Sequence, residues 1–246
     1  MENYELICFD NALALAEAAA QAWVAKLKGI RNRPFLVALS GGRIAKLFFA
    51  ALMDRASVWQ TFLPAIHFFW ADERCVPPGD PESNFGMPNL LLFQPCAVAP
   101  ERIHRIRGES RPEEAAREAT TELRNTASTF SGGQPVLDLV LLGMGEDGHV
   151  ASLFPTLPPT ITDSKETYLV VTGPKPPPQR ITLSYAAIAA AGEVWVLASG
   201  PGKEQALQKS LMLNGQTPLA RVLRMRLHTR VFSDIGAGQE PRRTAG

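Results

Sequence analysis

Ser131-Gly132-Gly133-Gln134-Pro135-Val136-Leu137-Asp138-Leu139-Val140-Leu141-Leu142-Gly143 is the stretch that decides the fold. Val136 to Leu142 is the strongest buried-strand signal in the chain, a short apolar run with glycines on both sides. A strand that is apolar almost throughout, rather than alternating, belongs in a sheet covered on both faces. Working outward, Pro34 to Leu39 and Ile66 to Trp70 read as two more buried strands. Later strands are expected at Tyr168–Thr172, Ile181–Ser184, Val194–Ala198 and Arg226–Ser233. Helical patterns lie between them. Ala12 to Lys28 is Ala/Leu-rich, with Asp10 as its expected N-cap and Gly29 as its stop. Ile44–Met53 and Gly202–Met212 follow strands, and Ser110-Arg111-Pro112-Glu113 matches a capping box opening a helix to about Ala127. Strands alternating with helices predict an α/β fold with a mainly parallel sheet.

The 246 residues suit one domain, taken as 1–235, with a smaller excursion between Pro77 and Ser131. The polar stretch 236–246 is expected to be a flexible tail. A hydrophobic content of 46% is ordinary for a cored globular chain, and a net charge of +1 gives no electrostatic reason for a nucleic-acid or membrane partner. The N-terminus lacks a basic region followed by an apolar core. Cys8, Cys75 and Cys96 are odd in number and not spaced as zinc ligands, so reduced thiols and a cytoplasmic location are expected.

The chemistry clusters just after strands, where parallel α/β sheets form their ligand crevice. Ser40-Gly41-Gly42-Arg43 links a strand to a helix: its glycines let backbone N–H groups approach an anion, although an ordinary tight turn fits equally well. No P-loop lysine accompanies it. Asp72-Glu73-Arg74 ends another strand as a polar cluster. Gly143-Met144-Gly145-Glu146-Asp147-Gly148 formally matches a dinucleotide loop, but two carboxylates there would repel a pyrophosphate. The better reading presents Asp147 and His149 side by side, the imidazole as a base and the carboxylate as its orienter. Arg180 precedes a strand, and Lys203 stands at a helix start, where the dipole disfavours a cation unless an anionic ligand is present. His67 and His104 read as packing or partly exposed residues and His228 as part of a solvated basic face. Histidine spacing offers no metal site, and neither Ser40 nor Ser152 sits in a nucleophile elbow. Neither metal nor cofactor is expected.

Ser40-Gly41-Gly42, Trp70-Ala71-Asp72-Glu73-Arg74-Cys75-Val76-Pro77, Ser83-Asn84, Asp147-Gly148-His149-Val150-Ala151-Ser152-Leu153-Phe154-Pro155, Arg180-Ile181-Thr182 and Gly202-Lys203 together resemble the 6-phosphogluconolactonase family. The resemblance covers about Leu36 to Leu211. It implies a Rossmann-like parallel sheet flanked by helices, shared with glucosamine-6-phosphate deaminases, and metal-independent hydrolysis of 6-phospho-D-glucono-1,5-lactone in the oxidative pentose phosphate pathway. By resemblance, His149 is the general base and Asp147 its orienter. Asp72 and Arg74 organise the ring end of the site, and Ser40, Gly41, Gly42, Arg180 and Lys203 hold the phosphate. Family members commonly carry Ser/Thr and Pro after the two glycines; here stand Arg43-Ile44-Ala45, and Arg43 is expected to replace the lost hydroxyl with a charge-assisted contact. The expected partner is a small sugar-phosphate lactone, and the expected assembly a monomer or small homo-oligomer. The rivals are a glucosamine-6-phosphate deaminase or isomerase, disfavoured because no acid closely follows His149, and a non-catalytic sugar-phosphate sensor, for which no DNA-binding output module is evident.

Overall fold

The computed structural model describes residues 3–30 and 33–236. Its central sheet contains β1 (Glu5–Cys8), β2 (Phe35–Leu39) and β3 (Ile66–Trp70). β4 (Asp72–Arg74) leaves that sheet, and β5 (Leu139–Gly143) returns to it. β6 (Tyr168–Thr172) and β7 (Gln179–Leu183) belong with β4, whereas β8 (Glu193–Ala198) and β9 (Arg230–Ser233) complete the central sheet. The order is β1-β9-β8-β5-β2-β3, every pairing parallel. The principal helices are α1 (Ala12–Leu27), α2 (Arg43–Met53), α3 (Pro112–Thr126), α4 (Tyr185–Ala190), α5 (Glu204–Leu211) and α6 (Pro218–Met225). The α/β architecture expected from the alternation is present. All five residues of β2 are buried, as are Leu139 to Leu142 of β5, so the core lies on both faces of the central strands. The order reverses between β2 and β5, a topological switch point whose carboxyl ends open a crevice.

Several boundaries differ from expectation, for identifiable reasons. β5 begins at Leu139 because Asp138 is a structural carboxylate: it accepts the backbone N–H of Leu36 at 2.8 Å and two Arg33 contacts at 3.0 and 2.5 Å. α1 is capped by Asn11, whose side chain accepts Ala14 N–H at 3.0 Å, and not by Asp10. The capping box at Ser110 does not form. Arg111 is the N-cap of α3, with no side-chain cap, because Pro112 opens the helix one residue later than that motif requires. Strand β9 starts only at Arg230, since Arg226 is buried and donates to the carbonyls of Ile188, Ala189, Ala191 and Gly192. His228 is exposed, as expected.

The larger correction concerns Asp72-Glu73-Arg74. It is not merely the polar end of β3 but a strand of a second, antiparallel sheet, β4-β7-β6, to which two of the later expected strands also belong. Ala71 is the hinge: its N–H donates to Leu39 in the first sheet, and its carbonyl accepts from Leu183 in the second. Of the expected tail, only Gly236 falls within the described residues.

Candidate active site

Nine of the ten sequence-predicted site residues line one cleft of about 330 Å³ at the carboxyl ends of β2, β5 and β8. The exception, Asp147, sits behind His149 and borders a neighbouring hollow.

The loop after β5 is tightly closed. Gly145 N–H donates to the His149 carbonyl at 2.9 Å, and Gly148, at φ +78°, turns the chain where Thr217 leaves no room for a side chain. The N-terminus of α6 pins the same turn, because Leu219 N–H donates to the Gly148 carbonyl at 3.0 Å. The result brings His149 Nδ1 within 2.5 Å of Asp147 Oδ1. Burial works against ionising Asp147, but the backbone N–H and imidazole of His149 outweigh it and hold the carboxyl below its ordinary value. An ionised Asp147 fixes the proton of neutral His149 on Nδ1 and leaves Nε2 as the acceptor. The ring also rests against Phe154, centroids 4.8 Å apart, and the Arg180 guanidinium lies over the same phenyl ring at 5.5 Å.

Alternation along β4 puts Asp72 and Arg74 on one face. Asp72 is 5% exposed and accepts the Ser152 hydroxyl at 2.6 Å and Asn84 Nδ2 at 3.4 Å. Arg74 is paired in register with Arg180 and donates to the Glu82 carbonyl at 2.6 Å and carboxylate at 3.1 Å. Burial and the adjacent Arg74 lower the pKa of Arg180, against the pull of Asp72 and Glu82. The buried Nε–H groups of both arginines have no hydrogen-bond partner among the described residues.

A second pair of cations stands across the cleft. Lys203 is the N-cap residue of α5, and burial followed by repulsion from Arg43 lowers its pKa despite Glu146 and Asp234. Directly before Arg43, the Gly41-Gly42 turn opens α2 with Gly42 at φ +101° and no side-chain cap, so the first-turn N–H groups are left for a ligand. Ser40 is committed differently: its hydroxyl donates to the Leu141 carbonyl at 2.8 Å and ties β2 to β5. Of the cations expected to hold the phosphate, Arg43 and Lys203 thus form one like-charged pair, whereas Arg180 lies in register with Arg74, which was expected at the ring end, and makes a second. Holding like charges together inside a half-buried cleft is favourable only toward an anion.

The family model for glucosamine-6-phosphate isomerases/6-phosphogluconolactonase matches residues 10–231. The chain is 36% identical to the 6-phosphogluconolactonase of Aggregatibacter actinomycetemcomitans over 207 residues, 84% of each protein. The chain belongs to the 6-phosphogluconolactonase family. The solved 6-phosphogluconolactonase of Trypanosoma brucei superposes with a TM-score of 0.86 at 26% identity, over 98% of this chain and 100% of that one. A monomeric glucosamine-6-phosphate deaminase, 19% identical with a TM-score of 0.79, shares the fold. No helix among the described residues is long and apolar enough to cross a membrane.

Within this family frame, the structure adds polar residues that carried no role in the sequence. Asn84 and Ser152 hold Asp72, and Asp234 accepts from Ser199 Oγ at 2.8 Å and Gly200 N–H at 3.2 Å, shaping the loop before Lys203. Each is far in sequence from what it holds and has no periodic pattern. The available signals were the Ser83-Asn84 dipeptide and Ser152, both already part of the quoted motifs.

Proposed function

We propose that this chain hydrolyses 6-phospho-D-glucono-1,5-lactone to 6-phospho-D-gluconate with His149 as the general base. The observation that carries the mechanism is the Asp147–His149 pair at the cleft wall, whose geometry leaves Nε2 free to take a proton. In this reading Nε2 removes a proton from water as the water oxygen bonds to the lactone carbonyl carbon. The carbonyl electron pair moves onto oxygen. Collapse of that oxyanion breaks the bond from carbon to ring oxygen, and the imidazolium returns its proton to the departing oxygen. Arg74, with Asp72 beside it, is assigned to the developing oxyanion, a role worth a few kcal/mol when the donor is held in place. The Gly41-Gly42 turn, Arg43 and Lys203 are assigned to the phosphate, with Arg180 as a further cation and Ser40 as the strut of the turn. Two cations and first-turn N–H groups suit a dianion. The three cysteines are free thiols, consistent with a cytoplasmic site of action.

The test is lactone hydrolysis by the protein and by His149→Ala, each against an enzyme-free blank because the lactone also opens spontaneously. Loss of the base lowers kcat by roughly 10²–10⁴-fold. Unchanged turnover in the variant refutes the base assignment. Ammonia release from glucosamine 6-phosphate, without lactone hydrolysis, refutes the substrate assignment.

A further inference from the structure

Asp72 and Arg74 face the cleft, and the residue between them points the other way. Glu73 is 2% exposed, and among the described residues no cation forms a salt bridge with it. Its carboxylate accepts four hydrogen bonds. Oε1 takes the backbone N–H groups of Arg74 and Asn84, both at 2.7 Å; Oε2 takes the Ser83 hydroxyl at 2.9 Å and Phe85 N–H at 3.0 Å. Three of these donors come from one loop, and that loop builds the wall of the site. Glu82 clamps Arg74, and Asn84 Nδ2 donates to the Asp72 carbonyl at 2.9 Å. The Asn84 side chain also fills the space where a Cβ on Gly41 would lie, 2.0 Å from its Oδ1.

We propose that Glu73 is a positioning residue for the reaction: its ionised carboxylate holds residues 82–85 in place and through them fixes Asp72 and Arg74 against the cleft. The reaction meant is the lactone hydrolysis proposed above, and the inference rests on that reading for its catalytic readout. Burial pushes the Glu73 carboxyl up to about 7, against the opposing N–H donors, so the anchor changes protonation near neutrality. The surrounding titratable groups are Asp72 and Arg74 on its own strand, Cys75 just after it, Glu82 on the held loop, Arg180 beside the facing Ile181 of β7, and Arg105 on the segment after Ile103. Asp72 raises the Glu73 pKa further.

Protonated Glu73, or Gln in its place, keeps one oxygen for Arg74 and Asn84 and turns a donor toward Ser83. Phe85 N–H then loses its carboxylate and keeps only the Ser83 hydroxyl at 3.2 Å. The loop loosens without unfolding. The experiment compares kcat and KM for lactone hydrolysis by wild type and Glu73→Gln across pH. Whatever pH dependence the two proteins share cancels in their ratio. The wild-type advantage in kcat is expected to be roughly five- to tenfold at about pH 8.5, with a smaller change in KM, and to fall toward one by about pH 6 as wild-type Glu73 takes up its proton. A ratio independent of pH overturns the proposal. A second readout needs no reaction: amide hydrogen exchange of residues 82–86 in the free protein. Protection, corrected for intrinsic rate, is expected to fall in wild type below about pH 7 and to be low in Glu73→Gln throughout. Equal protection in both proteins overturns the positioning role, whereas absence of lactone hydrolysis in wild type refutes the functional reading and leaves the exchange result to judge Glu73.

Discussion

Gly145→Ala is a small substitution with a large expected consequence. A Cβ at this position would lie 2.1 Å from both Cε1 and Nδ1 of His149 and 2.9 Å from Nε2. Ordinary contact between such atoms begins near 3.4 Å, so the ring must retreat by more than about 1 Å. It has little freedom to do so and stay useful. Asp147 holds Nδ1 at 2.5 Å on one side, and Phe154 backs the ring on another. The open direction is toward solvent, because the His149 side chain is 31% exposed, and a ring swung that way abandons Asp147. Misplacement by about 1 Å costs on the order of 10²-fold in rate, and losing the orienting carboxylate adds to this. We therefore expect kcat to fall at least roughly 10²-fold in Gly145→Ala. Folding should be nearly unaffected, because Gly145 is not in the left-handed region and its neighbour is a side chain with room to move outward. The assay is lactone hydrolysis at saturating substrate, alongside a thermal melt. Turnover within about threefold of wild type, with an unchanged melt, would refute the claim that the base works from the position seen here.

The cation pair at the α2 and α5 N-termini is predicted to act on binding. Lys203→Ala should raise KM with kcat little changed, and Arg43→Ala should do the same more weakly because Arg43 is more exposed; steady-state kinetics decide, and a kcat defect without a KM change would argue against phosphate binding there. Stability should also report on Glu73. Global unfolding hydrates the Glu73 carboxyl, whereas loosening of residues 82–85 leaves it buried without its donors, so ionisation favours the held loop but disfavours the folded chain. Relative to the unfolded state its pKa is raised, and the stability it contributes is full below its ordinary value of 4.5 and is lost as pH rises through about 7. That change corresponds to about 3 kcal/mol, so denaturation curves should show Glu73→Gln gaining on wild type by an amount of this order between about pH 4.5 and pH 8. Parallel stability profiles would contradict the burial argument.

The sequence announced the fold through its apolar runs, and it did so because β2, β3 and β5 are buried on both faces and need no alternation to be seen. The runs at 168–172 and 181–184 were equally visible, but nothing in them distinguished a parallel partner from an antiparallel one. Their assignment to a second sheet depends on the hinge at Ala71, a tertiary hydrogen-bond pattern with no local signature. β1 was missed because an edge strand of four residues with three exposed offers little apolar signal. α6 was missed although Thr217-Pro218 is a good helix start, since its arginines drew attention to the exposed face and away from Leu219, Val222 and Leu223 beneath. Within the site, Asp147 and His149 were legible because chemistry is local there: two residues apart, they meet across one turn. The division of the cations into two pairs was not, because it depends on which strands lie side by side.

The residues without chemistry explain why that division is stable. Each loop of the cleft is tied to another: Ser40 to Leu141, Ser152 and Asn84 to Asp72, and Leu219 to Gly148. Ala151 shows the cost of one tie. It lies at φ +49°, a left-handed conformation that disfavours a side chain by about 1 kcal/mol or more. The strain turns the next residue inward, so that fully buried Ser152 donates its hydroxyl to Asp72 at 2.6 Å and its N–H to the Thr182 hydroxyl at 3.2 Å. A hydrogen bond to a charged group contributes roughly 1.5–3 kcal/mol, enough to offset the strain. What the strained turn secures is a fixed distance between two sheets: His149 rides on the loop after β5, Asp72 on β4, and Ser152 holds them in one frame. In the proposed mechanism, a base and an oxyanion-binding wall set on separate sheets gain from such a tie, because neither has to reorganise when charge develops between them.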